Sequence, residues 1–397
     1  MSKPNFLPNI SFFSTWDICS AIIVLVVGYI LILNSAKSFN SNKIRAISLY
    51  TWHTLFCFAY IFTTTKIGGD AIWYYTSSLK YFREFEFGTN STQIFTGIFT
   101  QGLGLTYIST FLVFNILGSY GLLAVDASLR HATKNKSGFV KSLSLIVVLI
   151  PSMSYWSSAI GKDSIQFMAT GFLLWSCIDF KNRNKMFFIS LVIMFMVRPH
   201  ICSLAILSFA LSVFLMNSLT ISKKIIYLSF CLVSLIFVLP FAMNYVGLGN
   251  SISLGNLMSY IEQRQGYNLG GGSSLDIKEM NLLYQLFTYL FRPLPYEAHN
   301  AFAFLSSIDN FLLLMVFILS LSSVIFLKRQ KFTLMHSKEN RLFLLIFSLG
   351  TLLILSLTTA NLGISVRQKW MVMPIFLYFM FLSINVTWSK DFIIKRV

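Results

Sequence analysis

Residues 17–33 read DICSAIIVLVVGYILIL, and this stretch decides the fold class of the chain. After the opening aspartate it contains no charged residue, and most of its side chains are aliphatic. At a rise of ~1.5 Å per residue, a helix over these residues is about 26 Å long, close to the ~30 Å hydrocarbon core of a bilayer. No clear small-x-small cleavage site follows, so we expect a retained transmembrane helix rather than a removed signal peptide.

Ten further apolar runs resemble this first one. Hydrocarbon offers a backbone no hydrogen-bond partner, so a segment that crosses it must satisfy its own N–H and C=O groups as a helix. The sequence therefore predicts an all-α fold, a polytopic transmembrane bundle of about 11 helices that forms a single integral membrane domain over residues 1–397. The predicted helices lie near 17–35, 46–65, 104–127, 140–156, 164–179, 185–198, 200–217, 224–246, 300–327, 342–360 and 370–388.

The composition excludes an ordinary soluble protein. Of the 397 residues, 55% are hydrophobic and 11% are charged, whereas soluble domains carry about 25% charged residues. All cysteines fall in apolar runs without a CxxC pair, so we interpret them as small buried hydrophobes rather than as disulfide or zinc partners. The five cysteines are Cys19, Cys57, Cys177, Cys202 and Cys231.

The net charge of +17 is distributed unevenly along the chain. Twenty of the 31 Lys and Arg residues form six groups, which occupy every second connection between the predicted helices. The positive-inside rule places these groups in the cytoplasm, with the N-terminus outside. Because membrane topology accounts for the charge, no nucleic-acid partner is expected. The groups fall at 36–45, 128–141, 181–185, 223–224, 328–341 and 390–396.

Two long loops, 66–103 and 247–299, lie on the outer side of this predicted topology. In the second, Gly270-Gly271-Gly272 precedes Ser273-Ser274-Leu275-Asp276, a pattern typical of a helix N-cap with an acid in the first turn. We therefore expect an amphipathic helix over 275–291 that lies along the outer interface. No P-loop, dinucleotide motif or internal repeat is evident, so ATP-driven chemistry is not expected.

Charged residues recur at the outer ends of predicted helices, where a charge close to hydrocarbon needs a physical reason. The first is Asp70, which follows two glycines that permit a tight turn. The aromatic residues after it, Trp73, Tyr74 and Tyr75, either anchor the chain at the interface or contact a sugar.

Two short outer turns carry further charges. Gly161-Lys162-Asp163-Ser164 joins two apolar runs; Asp163 either caps the following helix or acts chemically, whereas Lys162 has no capping role. In Arg198-Pro199-His200 the proline ends the preceding helix and holds Arg198 extended. Arg198 is then either a snorkelling interface residue or a ligand-binding cation, and His200 has the same two interpretations.

The most specific local pattern is Phe291-Arg292-Pro293-Leu294-Pro295-Tyr296-Glu297-Ala298-His299. Its two prolines make a rigid segment that fixes a cation, an acid and a histidine near the start of a predicted helix. Asp309, about three turns further along, is a second acid that could face the interior. Arg367-Gln368-Lys369 enters the last predicted helix, where its cations either anchor at the interface or bind a ligand.

Cations that converge on one face suit a lipid pyrophosphate. Guanidinium groups bind phosphate oxygens in a bidentate fork, and fixed cations stabilise the charge that a leaving pyrophosphate gains. A carboxylate or histidine nearby could accept a proton from an attacking hydroxyl. The candidate cations are Lys162, Arg198, Arg292, Arg367 and Lys369, and the candidate catalytic groups are Glu297, His200, Asp70 and Asp163. Metal-ligand spacing is absent from the sequence, so neither a metal nor another cofactor is predicted.

Together these motifs resemble bacterial O-antigen and capsular polysaccharide polymerases of the Wzy type. The resemblance rests on the Gly-Gly-Asp70 loop, Gly-Lys162-Asp163-Ser, Arg198-Pro-His200, Phe-Arg292-Pro-Leu-Pro-Tyr-Glu297 and Arg367-Gln-Lys369. It covers most of the chain as spaced short motifs, and the layout is shared with O-antigen ligases and EpsG-like exopolysaccharide proteins.

The resemblance implies a metal-independent membrane glycosyltransferase of the GT-C type in the bacterial inner membrane. Such an enzyme joins undecaprenyl-pyrophosphate-linked oligosaccharide repeat units on the periplasmic face, with inversion and release of undecaprenyl pyrophosphate. The cations would hold the pyrophosphates, and Trp73, Tyr74, Tyr75 and Tyr296 would contact sugars. Membrane lipid and a chain-length regulator protein are the implied partners.

One departure from the family pattern leaves individual roles open. Polymerases usually concentrate their basic residues in one large periplasmic loop, whereas loop 247–299 contains only Arg264, Lys278 and Arg292. An O-antigen ligase would use the same donor chemistry. A flippase or transporter of the lipid-linked oligosaccharide predicts charges deep within helices and paired repeats, and a non-catalytic assembly protein predicts no convergence of cations and acids.

Overall fold

The computed structural model describes residues 14–80, 85–216, 219–247, 254–267, 273–326 and 340–384. Gly270 to Gly272 and most of the last two basic groups lie outside these ranges. Within them every regular element is helical apart from one isolated β-bridge, which confirms the predicted all-α fold. The helices are α1 Thr15–Ser35, α2 Lys43–Ile67, α3 Asp70–Ser78, α4 Thr89–Gly97, α5 Tyr107–Ala132, α6 Gly138–Val148, α7 Pro151–Ser157, α8 Lys162–Ile178, α9 Phe180–Val197, α10 Pro199–Leu215, α11 Ile221–Val246, α12 Leu254–Tyr267, α13 Leu282–Phe291, α14 Ala301–Phe326, α15 Arg341–Thr358, α16 Leu362–Gln368 and α17 Met373–Ser383.

Within the described ranges, six helical stretches are long and apolar enough to cross a membrane. In the described ranges each of the eleven apolar runs contains helix, but the run 140–156 is broken into α6 and α7, and α8, α10 and α17 have only 17, 17 and 11 residues. The count of about 11 spans and the GT-C-like architecture therefore stay predictions. The six stretches are Thr15–Phe39, Tyr107–Ala132, Gly138–Ser157, Ile221–Val246, Ala301–Phe326 and Arg341–Thr358.

The centre of the bundle is the packing of α5 against α8. Most residues of both helices are buried, and glycines let the two backbones approach closely. A Cβ atom on Gly171 would lie 2.8 Å from the carbonyl oxygen of Gly121, so no larger residue fits there without a shift of the backbone. Small residues at helix contacts are typical of membrane bundles, where close backbone packing replaces the hydrophobic driving force.

A buried polar cluster ties α2, α5 and α7 together. The His53 ring lies between the Asn115 side-chain oxygen at 2.5 Å and the Ser157 hydroxyl at 2.9 Å. Asn115 in turn donates to the Thr54 hydroxyl at 2.8 Å. Because these polar atoms find partners within the cluster, it holds three helices in one arrangement at no cost in unsatisfied groups.

Charged residues gather at two opposite ends of the bundle. Arg45 lies in the first turn of α2 and Asp70 lies three residues beyond the end of α2 at Ile67, so about 33 Å of helix separates them at 1.5 Å per residue. We call these the Asp126 end, where Arg45 contacts Asp126, and the Asp163 end, where Asp70 shares an arginine with Asp163. The basic groups at 36–45 and 128–141 belong to the Asp126 end, which the charge pattern predicts to be cytoplasmic.

The helix predicted over 275–291 begins later than expected. It starts at Leu282, and Asn281 caps it by accepting a hydrogen bond from the Tyr284 N–H at 2.9 Å. The predicted N-cap at Ser273 and Ser274 is wrong, because this stretch is extended and pairs with residues 360–362, with Ser274 bridged to Asn361. Helix α12 in the same loop was not predicted.

Candidate functional site at the Asp163 end

Asp163 lies at the centre of the candidate site. Its carboxylate is buried in the first turn of α8, where it accepts hydrogen bonds from Arg198 Nη2 at 2.7 Å and from Arg367 Nε. The helix N-cap is Gly161, whose φ of 146° suits glycine. The Asp163 carboxylate therefore pairs with two guanidinium groups and does not cap α8.

Arg367 also pairs with Asp70, which lies at the surface. Its Nη1 donates to Asp70 Oδ2 at 2.6 Å, and Asp70 keeps 62% of its side chain exposed. Gly68 and Gly69, with φ of 83° and 154°, turn the chain so that α3 begins at Asp70. Asp70, Arg367, Asp163 and Arg198 thus form one row of alternating charges, which we call the ion network.

A cavity of about 740 Å³ opens beside Arg367. Asp70 and Arg367 form its charged side, and Tyr155, Trp156 and Phe302 form an aromatic side. The Tyr155 ring lies 5.1 Å from Trp156 and 5.4 Å from Phe302, centroid to centroid, and the Arg367 guanidinium lies 5.9 Å from the Trp156 ring centroid. A cavity of this size and mixed lining is suited to a small organic ligand such as a sugar.

A second cationic cluster lies on the other side of Asp163. Lys162 donates to the Thr89 hydroxyl at 2.9 Å and to the Tyr245 hydroxyl at 2.8 Å. The His200 ring stacks on Tyr245 at a centroid distance of 5.1 Å and an interplanar angle of 10°. With Arg198 two residues from His200, this cluster joins the starts of α8 and α10 to the end of α11.

Three buried polar atoms near Arg198 have no hydrogen-bond partner within the described ranges. They are Arg198 Nε, His200 Nδ1 and the Tyr289 hydroxyl, and Tyr289 lies within electrostatic reach of Arg198 and Asp163. Buried polar atoms are nearly always paired in native proteins, so a group of orphans beside a cation marks a place where a ligand could complete the hydrogen bonding.

An apolar groove of about 400 Å³ runs between α9, α10 and α11. Seven phenylalanines line it, among them Phe195 and Phe237, whose ring centroids are 5.9 Å apart. Tyr245 lies just over two helical turns, about 12 Å, beyond Phe237 along α11. The groove therefore leads along α11 towards the cluster of Lys162, His200 and Arg198.

The segment 292–297 folds around its own ion pair. Arg292 Nε donates to Glu297 Oε1 at 2.8 Å, and the Leu294 N–H donates to Glu297 Oε2 at 2.7 Å. Partial burial acts to raise the pKa of the Glu297 carboxyl, but these two hydrogen bonds outweigh burial and hold the pKa below its ordinary value. Both carboxylate oxygens are thus occupied in fixing the turn, and Pro293 and His299 are the residues of this region that line the cavity.

Lys369 lies beneath the site rather than in it. Its side chain has 0% exposed surface, and its ammonium donates to Asn310 Oδ1. The Asn310 amide donates to the Pro293 carbonyl at 3.0 Å, so Lys369 supports the 292–297 segment from below. Asp309, next to Asn310, accepts a hydrogen bond from the Ser152 N–H at 2.8 Å. In this structure Lys369 has no surface at which it could meet a pyrophosphate.

The predicted sugar-contacting aromatics are dispersed. Tyr74 is buried, Trp73 packs edge-on to it at 5.2 Å, and Tyr75 packs edge-on to Tyr107 at 5.2 Å. Tyr296 is 83% exposed. None of these four rings lines the 740 Å³ cavity, whose aromatic side comes instead from α2, α7 and α14.

Sequence reasoning missed Tyr245 and the rings of the cavity. Tyr155, Trp156 and Phe302 lie in apolar runs, where an aromatic residue looks like ordinary lipid-facing or core sequence. Tyr245 ends a long apolar helix in the same way. Only the position of Tyr245 at the predicted outer end of a helix could have marked it, because that end shares a face with the charged turns.

The described ranges contain no group of three or more His, Cys, Asp or Glu residues close enough to hold a metal ion. No family model matches this chain, and no curated protein and no solved structure shows significant similarity to it. The ion network, the cavity and the groove are therefore the features that bear on the function.

Proposed function

We propose that this protein is a polymerase of the GT-C type that joins undecaprenyl-pyrophosphate-linked oligosaccharide repeat units into O-antigen or capsular polysaccharide. In this proposal the Asp163 end faces the periplasm and the C-terminus lies in the cytoplasm of a bacterial inner membrane. The observation that carries it is the ion network, which fixes arginines between a cavity of about 740 Å³ and a groove lined by phenylalanines.

A lipid pyrophosphate matches the chemistry on the groove side. A polyprenyl chain is long and apolar, as the groove is, and its pyrophosphate carries the charge that Arg198 and Lys162 would bind. Among the described residues, Arg198 Nε and His200 Nδ1 have no hydrogen-bond partner, and both atoms lie at the same place. Asp163 holds Arg198 and Arg367 in position before substrate arrives, so the cations need not reorganise during the reaction.

A polymerase must bind a donor and an acceptor, and the site has two regions that could bind them. The donor pyrophosphate would lie by Arg198 and Lys162, with its lipid in the groove. The acceptor sugar would enter the cavity against Tyr155, Trp156 and Phe302. Arg367 lies between the donor place and the acceptor place, because it binds Asp163 and also lines the cavity.

Asp70 is the carboxylate best placed to accept the proton of the acceptor. It lines the cavity and remains largely exposed, whereas Glu297 is occupied by Arg292 and Leu294, and His200 stacks on Tyr245. In the proposed reaction the sugar hydroxyl oxygen bonds to the donor anomeric carbon as its proton passes to Asp70. The bond from that carbon to the pyrophosphate breaks, and undecaprenyl pyrophosphate leaves with the electron pair and inversion at carbon.

A transporter of the same lipid-linked oligosaccharide is the second candidate. Asp309 lies about 12 Å along α14, and Lys369 is fully buried close to it, an arrangement that transport across a membrane can use. An O-antigen ligase would share the donor place and differ in its acceptor, which would be lipid A core.

Deletion of the gene separates these functions. For a polymerase we expect the surface polysaccharide ladder to collapse to a single band of core plus one repeat unit on a gel. Loss of that band as well, with polymer retained on undecaprenyl pyrophosphate in the periplasm, would indicate a ligase. Single repeat units trapped on the cytoplasmic side would indicate a transporter, and an unchanged ladder would contradict all three.

Arg367→Ala should abolish chain extension in the complemented deletion strain. Arg367 pairs with both Asp163 and Asp70 and lines the acceptor cavity, so its loss removes the group that holds these two carboxylates in position, and a fall in rate of about 100-fold or more is expected. The matched control is Lys278→Ala, which removes an exposed cation of the 247–299 loop away from the cavity. The ladder should be normal in the control and absent in the variant at equal protein abundance in the membrane; a normal ladder from Arg367→Ala would exclude its role.

Asp70→Asn and Glu297→Gln distinguish a proton acceptor from a structural carboxylate. We expect Asp70→Asn to lower the rate of chain extension by about 100-fold or more, because the amide cannot take a proton. Glu297→Gln keeps an oxygen acceptor for Arg292 or for the Leu294 N–H, so we expect a loss of less than about tenfold. The rate is measured with purified protein and lipid-linked repeat units, and the reverse order of losses would assign the proton to Glu297.

A further inference from the structure

A separate cavity lies at the Asp126 end, far from the ion network. It measures about 410 Å³, lies between α2, α5 and α6 and opens to the outside of the protein. Arg45 comes from α2, Arg130 comes from α5, Thr133 caps the end of α5, and α6 contributes Lys141 together with two serines. About 33 Å of α2 separates Arg45, in this cavity, from the end of the helix near Asp70, so the cavity takes no part in the proposed transfer reaction.

The cavity carries excess positive charge. Arg45 and Arg130 share the buried carboxylate of Asp126, with Arg45 Nη2 at 2.6 Å from Oδ1 and Arg130 Nε at 2.8 Å from Oδ2. Lys141 adds a third cation, so the local balance is three positive groups against one negative group. Asp126 therefore holds Arg45 and Arg130 in place, and the cavity keeps a net positive charge.

Arg45 and Arg130 differ in the contacts that they make besides Asp126. Arg130 also donates to the carbonyl oxygens of Asn40 at 2.7 Å and Phe39 at 2.8 Å, which fixes its guanidinium in the wall. Arg45 uses Nε and Nη2 on Asp126, and its Nη1 has no hydrogen-bond partner within the described ranges. With about a quarter of its side chain exposed, Arg45 can offer Nη1 to a phosphate oxygen in the cavity.

The surroundings favour a lipid over a free anion. Leu145 lines the cavity, and Ile44 and Ile146, which adjoin the lining residues Arg45 and Leu145 in sequence, are exposed. Apolar side chains therefore occur in and next to the lining of the basic cavity. An anion that carries acyl chains can place its headgroup in the cavity and its chains along these side chains. Free phosphate would gain nothing from the apolar surface. Basic cavities between membrane helices are a known form of anionic-lipid site.

We propose that this cavity binds the phosphate headgroup of an anionic membrane phospholipid, with Arg45 and Lys141 as its direct contacts. Asp126, which also pairs with Arg130, holds Arg45 in position. The site is independent of the proposed polymerase function, since it uses other residues at the opposite end of the bundle.

The test uses the purified full-length protein in a mild detergent. Native mass spectrometry measures the bound lipid, and thermal unfolding measures the stabilisation, after addition of phosphatidylglycerol, phosphatidylethanolamine or inorganic phosphate. We expect phosphatidylglycerol to bind and to raise the melting temperature, with the other two near baseline. Equal effects of the zwitterionic lipid, or a full effect of inorganic phosphate alone, would overturn the assignment to an anionic lipid.

Two pairs of variants locate the site without disturbing Asp126. Lys141→Ala should weaken phosphatidylglycerol binding about tenfold, whereas Lys134→Ala removes an exposed lysine of the same basic group that does not line the cavity. Ser142→Glu places a negative charge in the cavity and should abolish binding, whereas Ser142→Gln is similar in size and neutral and should largely retain it. Equal affinity within each pair would refute the proposed site.

Discussion

The Asp163 carboxylate, shared by Arg198 and Arg367, is the interaction on which the rest of the Asp163 end depends. A buried charge needs a partner, and removing one partner of a buried ion pair typically costs about 3–5 kcal/mol. Here a single carboxylate serves two cations that arrive from distant parts of the sequence. It fixes α8, the break between α9 and α10, and α16 relative to one another.

The position of Asp163 also divides the end of the bundle into two places. On one side Arg367 and Asp70 border the 740 Å³ cavity, and on the other Arg198 and Lys162 stand near the phenylalanine-lined groove. In the proposed transfer between two lipid-linked sugars, the donor would occupy one of these places and the acceptor the other, with cations at the leaving pyrophosphate. The Asp126 end has a similar arrangement, because Asp126 pairs with two arginines beside a separate cavity.

The sequence predicted the all-α fold and the charged turns because both follow from local rules. A segment in hydrocarbon must satisfy its own backbone hydrogen bonds, which favours helices. A charged residue at the end of an apolar run is easy to identify in the sequence. The distances within the site follow from tertiary packing, so the sequence could not show that Asp163 pairs with arginines 35 and 204 positions away. It also could not show that Lys369 is buried or that Glu297 is occupied by its own turn.

The start of α13 shows a different limit. Ser273 and Ser274 have the composition of an N-cap, yet they pair with residues 360–362, and a non-local contact of this kind overrides a local capping preference. The aromatic side of the cavity was hidden for another reason. In a chain with 40 phenylalanines, a ring that faces a ligand has the same sequence environment as one that faces lipid.

The most direct test of the account is the affinity of the purified protein for undecaprenyl pyrophosphate after Asp163→Asn. This change raises the net charge of the site by one, so simple charge attraction would make binding tighter. If Asp163 acts by holding Arg198 and Arg367 in place, the affinity should instead fall, by about tenfold or more, while the protein remains folded. Tighter or unchanged binding would contradict the claim that the shared carboxylate organises the site.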